Sequence, residues 1–221
     1  MEATGYCRVE ATAVAQRQSF RPGTVTTVVR MKKSETRDLK PAQWLGVFCG
    51  SYRGNVDDVH LLAAELGAAM AKANVGLVYG GGGIGVMGTI ADALLAAGGH
   101  AIGVVPTNLM ETEMAHPSLD ELLVVASMHD RKRAMYERSD AFCALPGGFG
   151  TLEELFEAAT WTKLGLHSRP KPVLLLDRNG FWTDLERFLD DVMAAGFIKS
   201  DDRGIIRRVE TVDEVLASLA S

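Results

Sequence analysis

A chain of 221 residues is long enough for one core of domain size and short for two. With 47% hydrophobic and 23% charged residues and a mean hydropathy of +0.07 it has the composition of an ordinary globular protein, and no apolar run reaches the roughly 18 residues of a membrane-spanning helix. A net charge of -5 speaks against a nucleic-acid groove, and Cys7, Cys49 and Cys143 stand at neither metal nor redox spacing, so a reducing, cytoplasmic compartment is expected.

Residues 1–42 differ from the rest: they carry eight Lys and Arg against four acids and show no convincing period, so they are expected to form a mostly disordered extension. Met31 is expected to serve as a usable alternative start, with the residues before it dispensable. Residues 43–221 then alternate apolar runs with helical patterns, the signature of a single α/β domain: a doubly wound, Rossmann-like parallel sheet with helices on both faces. Residues 44–49 form the first strand, and Val59, Leu62, Ala63, Leu66 and Met70 the apolar stripe of the helix after it. Residues 75–79 make a second strand that ends in the glycine run 80–88, followed by a helix carrying Ile90, Ala91, Leu94 and Leu95. A third strand (101–105) stops at Pro106, residues 108–120 read as a loop or short helix, and a fourth strand covers 122–126. The next helix opens with Arg131, Lys132 and Arg133, a basic cluster that opposes the helix dipole; it reads either as a site for something anionic or as solvated charges paired with Asp130 and Glu137. Strands at 141–145, 171–177 and 205–209 follow, with helices from Thr151, from Trp182 to Ala195, and from Thr211.

Two strand ends carry the chemistry. Residues 145–154 run from an apolar strand through three glycines into a helix, which aims unpaired N–H groups at whatever lies beyond the strand and makes a ready anion site. The alternative is local: Thr151 and Glu154 fit a capping box, with Glu154 purely structural. The run at 80–88 is a second turn of the same kind, and its alternative is close packing of strand on helix. It matches G-x-G-x-x-G at Gly80, Gly82 and Gly85 but lacks the acid about 20 residues on that a dinucleotide site requires.

Pro146-Gly147-Gly148-Phe149-Gly150-Thr151-Leu152-Glu153-Glu154, preceded by Met128-His129-Asp130-Arg131-Lys132, resembles the paired PGGxGTxxE and MHxRK signatures of the LOG (LONELY GUY) family. Its members are cytokinin riboside 5′-monophosphate phosphoribohydrolases, often mislabelled lysine decarboxylases. The resemblance covers residues 44–220, departing at Phe149, where tyrosine is frequent, at Asp130, where glutamate is, and at Tyr52, where a second serine is. It implies Arg131 and Glu154 as the catalytic pair. It also implies a substrate- and phosphate-binding set of Ser51, Gly81, Gly82, Gly85, Glu113, Met128, Lys132, Gly147, Gly148, Phe149, Gly150, Thr151 and Thr160. No metal and no cofactor are implied, nor a nucleic-acid or membrane partner; a homodimer or larger homo-oligomer acting on a nucleoside monophosphate is.

Cleavage of an N-glycosidic bond passes through an oxocarbenium-like ribose, for which a carboxylate such as Glu154 can stabilise charge and activate water. A guanidinium at Arg131 can orient the phosphoribosyl group or support the departing base. The competing expectations are a broader purine or pyrimidine nucleotide nucleosidase, and a non-catalytic binder of a phosphorylated ligand resembling the molybdenum cofactor carriers. Lysine decarboxylation would need pyridoxal phosphate and a Schiff-base lysine, and no lysine is singled out for that.

Overall fold

The structure, a computed structural model, describes residues 14–19, 25–30, 40–56, 58–109 and 114–219. Among them nine strands form one sheet: β1 (Val14–Ser19), β2 (Val25–Arg30), β3 (Gln43–Phe48), β4 (Val75–Tyr79), β5 (Ala101–Pro106), β6 (Glu121–Val125), β7 (Ala141–Ala144), β8 (Val173–Leu176) and β9 (Ile206–Val209). Their order across the sheet is β1-β2-β6-β5-β4-β3-β7-β8-β9. From β6 to β9 every neighbouring pair is parallel.

The central strands are apolar on both faces because helices cover both: every residue of β4, β5, β7 and β8 is buried. The connecting helices are α1 (Val59–Lys72), α2 (Gly85–Ala96), α3 (Met128–Arg138), α4 (Phe149–Lys163), α5 (Thr183–Ala194), the single turn α6 (Ser200–Arg203) and α7 (Val212–Ala217). Strand alternation sorts the core into two layers. Leu45, Leu77 and Tyr79 meet Leu66 of α1, Leu94 of α2 and Val215 of α7. Phe48, Val78 and Phe142 meet Tyr136 of α3, Leu155 of α4 and Leu189 of α5 on the other face. Phe142 stacks on Phe48 with ring centres 5.6 Å apart, and Tyr136 stands edge-on to Phe142 at 5.5 Å. This aromatic cluster fixes α3 over the middle of the sheet.

The doubly wound α/β expectation therefore holds, with differences at the ends of elements. Within residues 1–42, read as a disordered extension, the structure places β1 and β2, paired antiparallel with each other and, through β2, with β6. The run Val25-Thr26-Thr27-Val28-Val29 is β-branched throughout, and Val28 is buried opposite Leu123. A chain beginning at Met31 would lose both strands and leave the β6 edge unpaired. The rest of that extension, residues 1–13, 20–24 and 31–39, lies outside the described residues.

Candidate active site

Strand order reverses at β3. From it the chain moves outward through β4, β5 and β6, then returns to lay β7 on the opposite side. Ligands of such sheets lie beyond the carboxyl ends of the strands at that reversal. A cleft of about 520 Å³ opens there. Its walls are residues 49–56 after β3, residues 146–148 after β7, Phe149, Gly150, Thr151, Glu153 and Glu154 of α4, Met128 and Arg131 of α3, Val86 and Met87 of α2, and Phe181 after β8.

The two glycine turns do different work. At the first, α4 begins at Phe149 with Gly148 as its N-cap, and no side chain caps it. Thr151 therefore lies inside the helix, so the capping-box reading of Thr151 and Glu154 does not hold. A Cβ added at Gly148 or Gly150 would meet nothing within 4 Å, whereas one at Gly147 would collide with the Thr151 side chain. An uncapped helix N-terminus facing a cleft is an anion site.

At the second turn the first donors inside α2 are already used. Val86 and Met87, at the start of α2, donate to the Gly50 carbonyl at 3.1 and 3.3 Å. Gly85, at φ 63°, lets the Ser51 backbone pass where a Cβ would collide with its carbonyl. Gly81, at φ 85°, packs on the Gly103 backbone, and Gly82 bridges to Ala115. Gly81, Gly82 and Gly85 are not among the residues that line the cleft, although Val86 and Met87 beside them are. Gly80 has another use: a Cβ there would overlap the Nη2 of Arg131. The missing side chain is the space the guanidinium occupies.

Arg131 is 4% exposed and reaches the cleft wall from the second turn position of α3. Ser127 caps that helix, accepting from the Asp130 N–H at 3.1 Å and donating its hydroxyl to the Asp130 carboxylate at 2.7 Å, which offsets the basic cluster's clash with the dipole. Glu154, on α4, is half-buried and also lines the cleft. Cys49 sits at the floor, where burial, then the Glu154 carboxylate, push its thiol far above the ordinary range. A thiol held protonated is no nucleophile. Among the described residues no group of three or more His, Cys, Asp and Glu is placed to hold a metal ion.

Lys132 and Thr160 are likewise not among the residues that line the cleft. The Lys132 ammonium lies between two carboxylates of α4, its Nζ 2.6 Å from Glu153 and 2.6 Å from Glu157. Thr160 lines an apolar groove between α4 and α5, its hydroxyl donating to the Phe156 carbonyl at 2.7 Å. Glu113 lies outside the described residues. Ser51, Met128, Gly147, Gly148, Phe149, Gly150 and Thr151 line the cleft together with Arg131 and Glu154.

The sequence reading placed Phe149 in the binding set and missed the two other aromatic residues that border the cleft, Tyr52 and Phe181. Tyr52 and Phe149, 84% and 93% exposed, and Phe181, 41% exposed, border the cleft from the loop after β3, the first position of α4 and the loop after β8. Phe181 is set by Asp177, whose buried carboxylate accepts from the N–H groups of Asn179 and Trp182 at 2.9 Å each and so shapes the turn between them. Its position just past a strand end is the signal that could have found it.

Fold and cleft together define an α/β protein with a cleft at the switch point of a parallel sheet, its walls carrying an uncapped helix start, an arginine and a glutamate. The family model described as "possible lysine decarboxylase" matches residues 87–219. The cytokinin riboside 5′-monophosphate phosphoribohydrolase LOG1 of Arabidopsis thaliana is 46% identical over 173 residues, 78% of this chain and 80% of that protein. Its relative LOG3 is 42% identical over 187 residues, 85% of this chain and 86% of that one. The chain belongs to the LOG family. In fold it is also similar to the Moco carrier protein of Chlamydomonas reinhardtii, with a TM-score of 0.60 at 25% identity over 82% of this chain and 96% of that one. The molybdenum cofactor binding protein of Rippkaea orientalis, at 22% identity, has a TM-score of 0.59 over 83% of this chain and 99% of its own.

Proposed function

We propose that this chain hydrolyses the N-glycosidic bond of nucleoside 5′-monophosphates of the cytokinin type, releasing an adenine-type base and ribose 5-phosphate. The observation that carries this reading is that Arg131 and Glu154 open onto the same cleft as the uncapped start of α4. The 5′-phosphate binds at the N–H groups that open α4, where the dipole favours it and glycines leave room. The ribose then lies along the first turns of α4, with the Glu154 carboxylate beside its anomeric carbon. There it stabilises the oxocarbenium-like transition state and takes a proton from the attacking water. Arg131, held rigidly by burial, supplies a fixed positive charge for the phosphoribosyl group or the leaving base. Tyr52, Phe149 and Phe181 offer flat apolar faces for a purine and an isoprenoid substituent on it.

Decarboxylation of lysine draws no support from this cleft, because no lysine is among the side chains that line it. A carrier of a phosphorylated ligand would use the same helix start but has no need of a carboxylate beside it. The assay that separates the readings follows base release from adenosine monophosphate, isopentenyladenosine monophosphate, their unphosphorylated ribosides and a pyrimidine monophosphate. Release from the adenine monophosphates and not from the ribosides is expected. Tight binding of monophosphates without release would overturn hydrolysis in favour of carriage, and equal turnover of the pyrimidine would favour the broader nucleosidase.

The reading extends to a cytoplasmic homodimer. Buried, unpaired Cys49 and Cys143 suit a reducing compartment. The groove lined by Phe156, Leu189, Ile198 and Ile206, flanked by the exposed Phe197 and Phe188, suits a second copy. Light scattering is expected to give twice the chain mass of 23.8 kDa; a monomer at micromolar concentration would refute it.

A further inference from the structure

Two helices carry the proposed catalytic pair, α3 with Arg131 and α4 with Glu154, and their relative position decides whether the pair can act. On α4 the residues flanking Glu154 present a difficulty. Glu153 and Glu157 are one helical turn apart, like charges that repel and weaken the helix where the site needs it rigid. The structure resolves this through α3. The Lys132 ammonium, with its side chain 6% exposed, lies between them at 2.6 Å from Glu153 Oε1 and 2.6 Å from Glu157 Oε2. One turn further along α3, the Tyr136 hydroxyl lies 3.2 Å from Glu157 Oε2 and 3.3 Å from the Glu154 carbonyl oxygen. Tyr136 is itself locked in the aromatic cluster, and its carbonyl accepts from the buried Lys171 ammonium at 2.7 Å.

We infer that Lys132 is a positioning residue, which by bridging Glu153 and Glu157 fixes the turn of α4 bearing Glu154 against the Arg131 face of α3, and that it is not a phosphate ligand. The inference rests on the hydrolase reading for its consequence in turnover, though not for the clamp itself. Three observations carry it. Lys132 is absent from the cleft wall while its neighbour Arg131 is on it, as expected when successive helical side chains diverge by about 100°. Two of its donors are committed to carboxylates at the short distance of charge-assisted bonds. Its single positive charge is outweighed by two negative ones, so a phosphate, itself carrying about -1.5 to -2, would meet net repulsion there. Both carboxylates hold the ammonium in its charged form against the cost of burial.

The test uses Lys132→Met, Glu157→Gln and the double substitution, with isopentenyladenosine monophosphate as substrate. Glu157 lies off the cleft wall, so its replacement probes the clamp without touching the ligand. Each single change is expected to lower kcat about tenfold with KM within about threefold, and the double change to lower it no further than the worse single one, because both remove one interaction. Amide hydrogen exchange over residues 149–157 of α4 is expected to quicken about tenfold in each. A tenfold rise in KM for the monophosphate at unchanged kcat in Lys132→Met, with Glu157→Gln silent, would make Lys132 a phosphate ligand and overturn the proposal. Unchanged exchange in both single variants would overturn it too. If the wild-type chain releases no base from any monophosphate, the hydrolase reading fails, and the exchange measurement alone decides the clamp.

Discussion

Glu154→Gln is expected to lower kcat for monophosphate hydrolysis about a hundredfold or more while shifting Tm by no more than about 2 °C. The expectation of near-native stability comes from where the residue stands. It is the sixth residue of α4, well past the N-cap at Gly148, so no capping bond is lost. Its backbone carbonyl, which receives the Tyr136 hydroxyl at 3.3 Å, is untouched. Glutamine matches glutamate in volume and nearly in helix propensity. What it lacks is the negative charge. A neutral amide neither stabilises an oxocarbenium-like sugar nor takes a proton from water, and about a hundredfold in rate corresponds to roughly 2.7 kcal/mol of lost transition-state stabilisation. Single-turnover base release alongside a melting curve checks both halves. A variant that keeps half or more of the wild-type kcat would return Glu154 to a structural role, and one that melts far below wild type would show the site and the fold to be inseparable there.

The parallel sheet was legible because burial on both faces leaves a plain trace: β4 and β7 are apolar at every position, and breakers bound each. The start of α4 was harder to read, since Gly148-Phe149-Gly150 has the composition of a turn; the helix tolerates a glycine in its first turn because the cleft needs backbone there without side chains. The β1–β2 ribbon escaped notice because its partner, β6, lies about a hundred residues further along the chain, and pairing with a distant edge leaves no local period. Arg131 and Lys132 looked alike as neighbours in sequence, yet one faces the cleft and the other faces α4. Local pattern reports the helix, but only the packing of α3 on α4 tells which of two adjacent cations meets the ligand.

The glycine run after β4 yields the second large effect. Gly80→Ala is expected to cut kcat/KM about a hundredfold with little change in stability. Nothing in the Gly80 backbone forbids alanine, since Gly80 is not among the glycines of positive φ. The methyl group would instead occupy the place of the Arg131 Nη2, with Cζ at 3.3 Å and the Met87 Sδ at 3.2 Å closing the other sides. The guanidinium is 4% exposed, so it cannot retreat into solvent and must shift within the cleft wall. A displacement of about 1 Å in a positioned group can cost about a hundredfold in rate. Gly81→Ala provides the contrast: at φ 85°, with the Gly103 Cα 3.3 Å from the added Cβ, it strains the backbone and costs about 1–2 kcal/mol of stability, while the folded protein turns over normally. The double variant Gly80→Ala with Arg131→Ala identifies the cause. If Gly80 acts through the guanidinium, its substitution costs nothing further once Arg131 is gone; additive losses would mean that Gly80 serves the ligand directly, as a phosphate turn would.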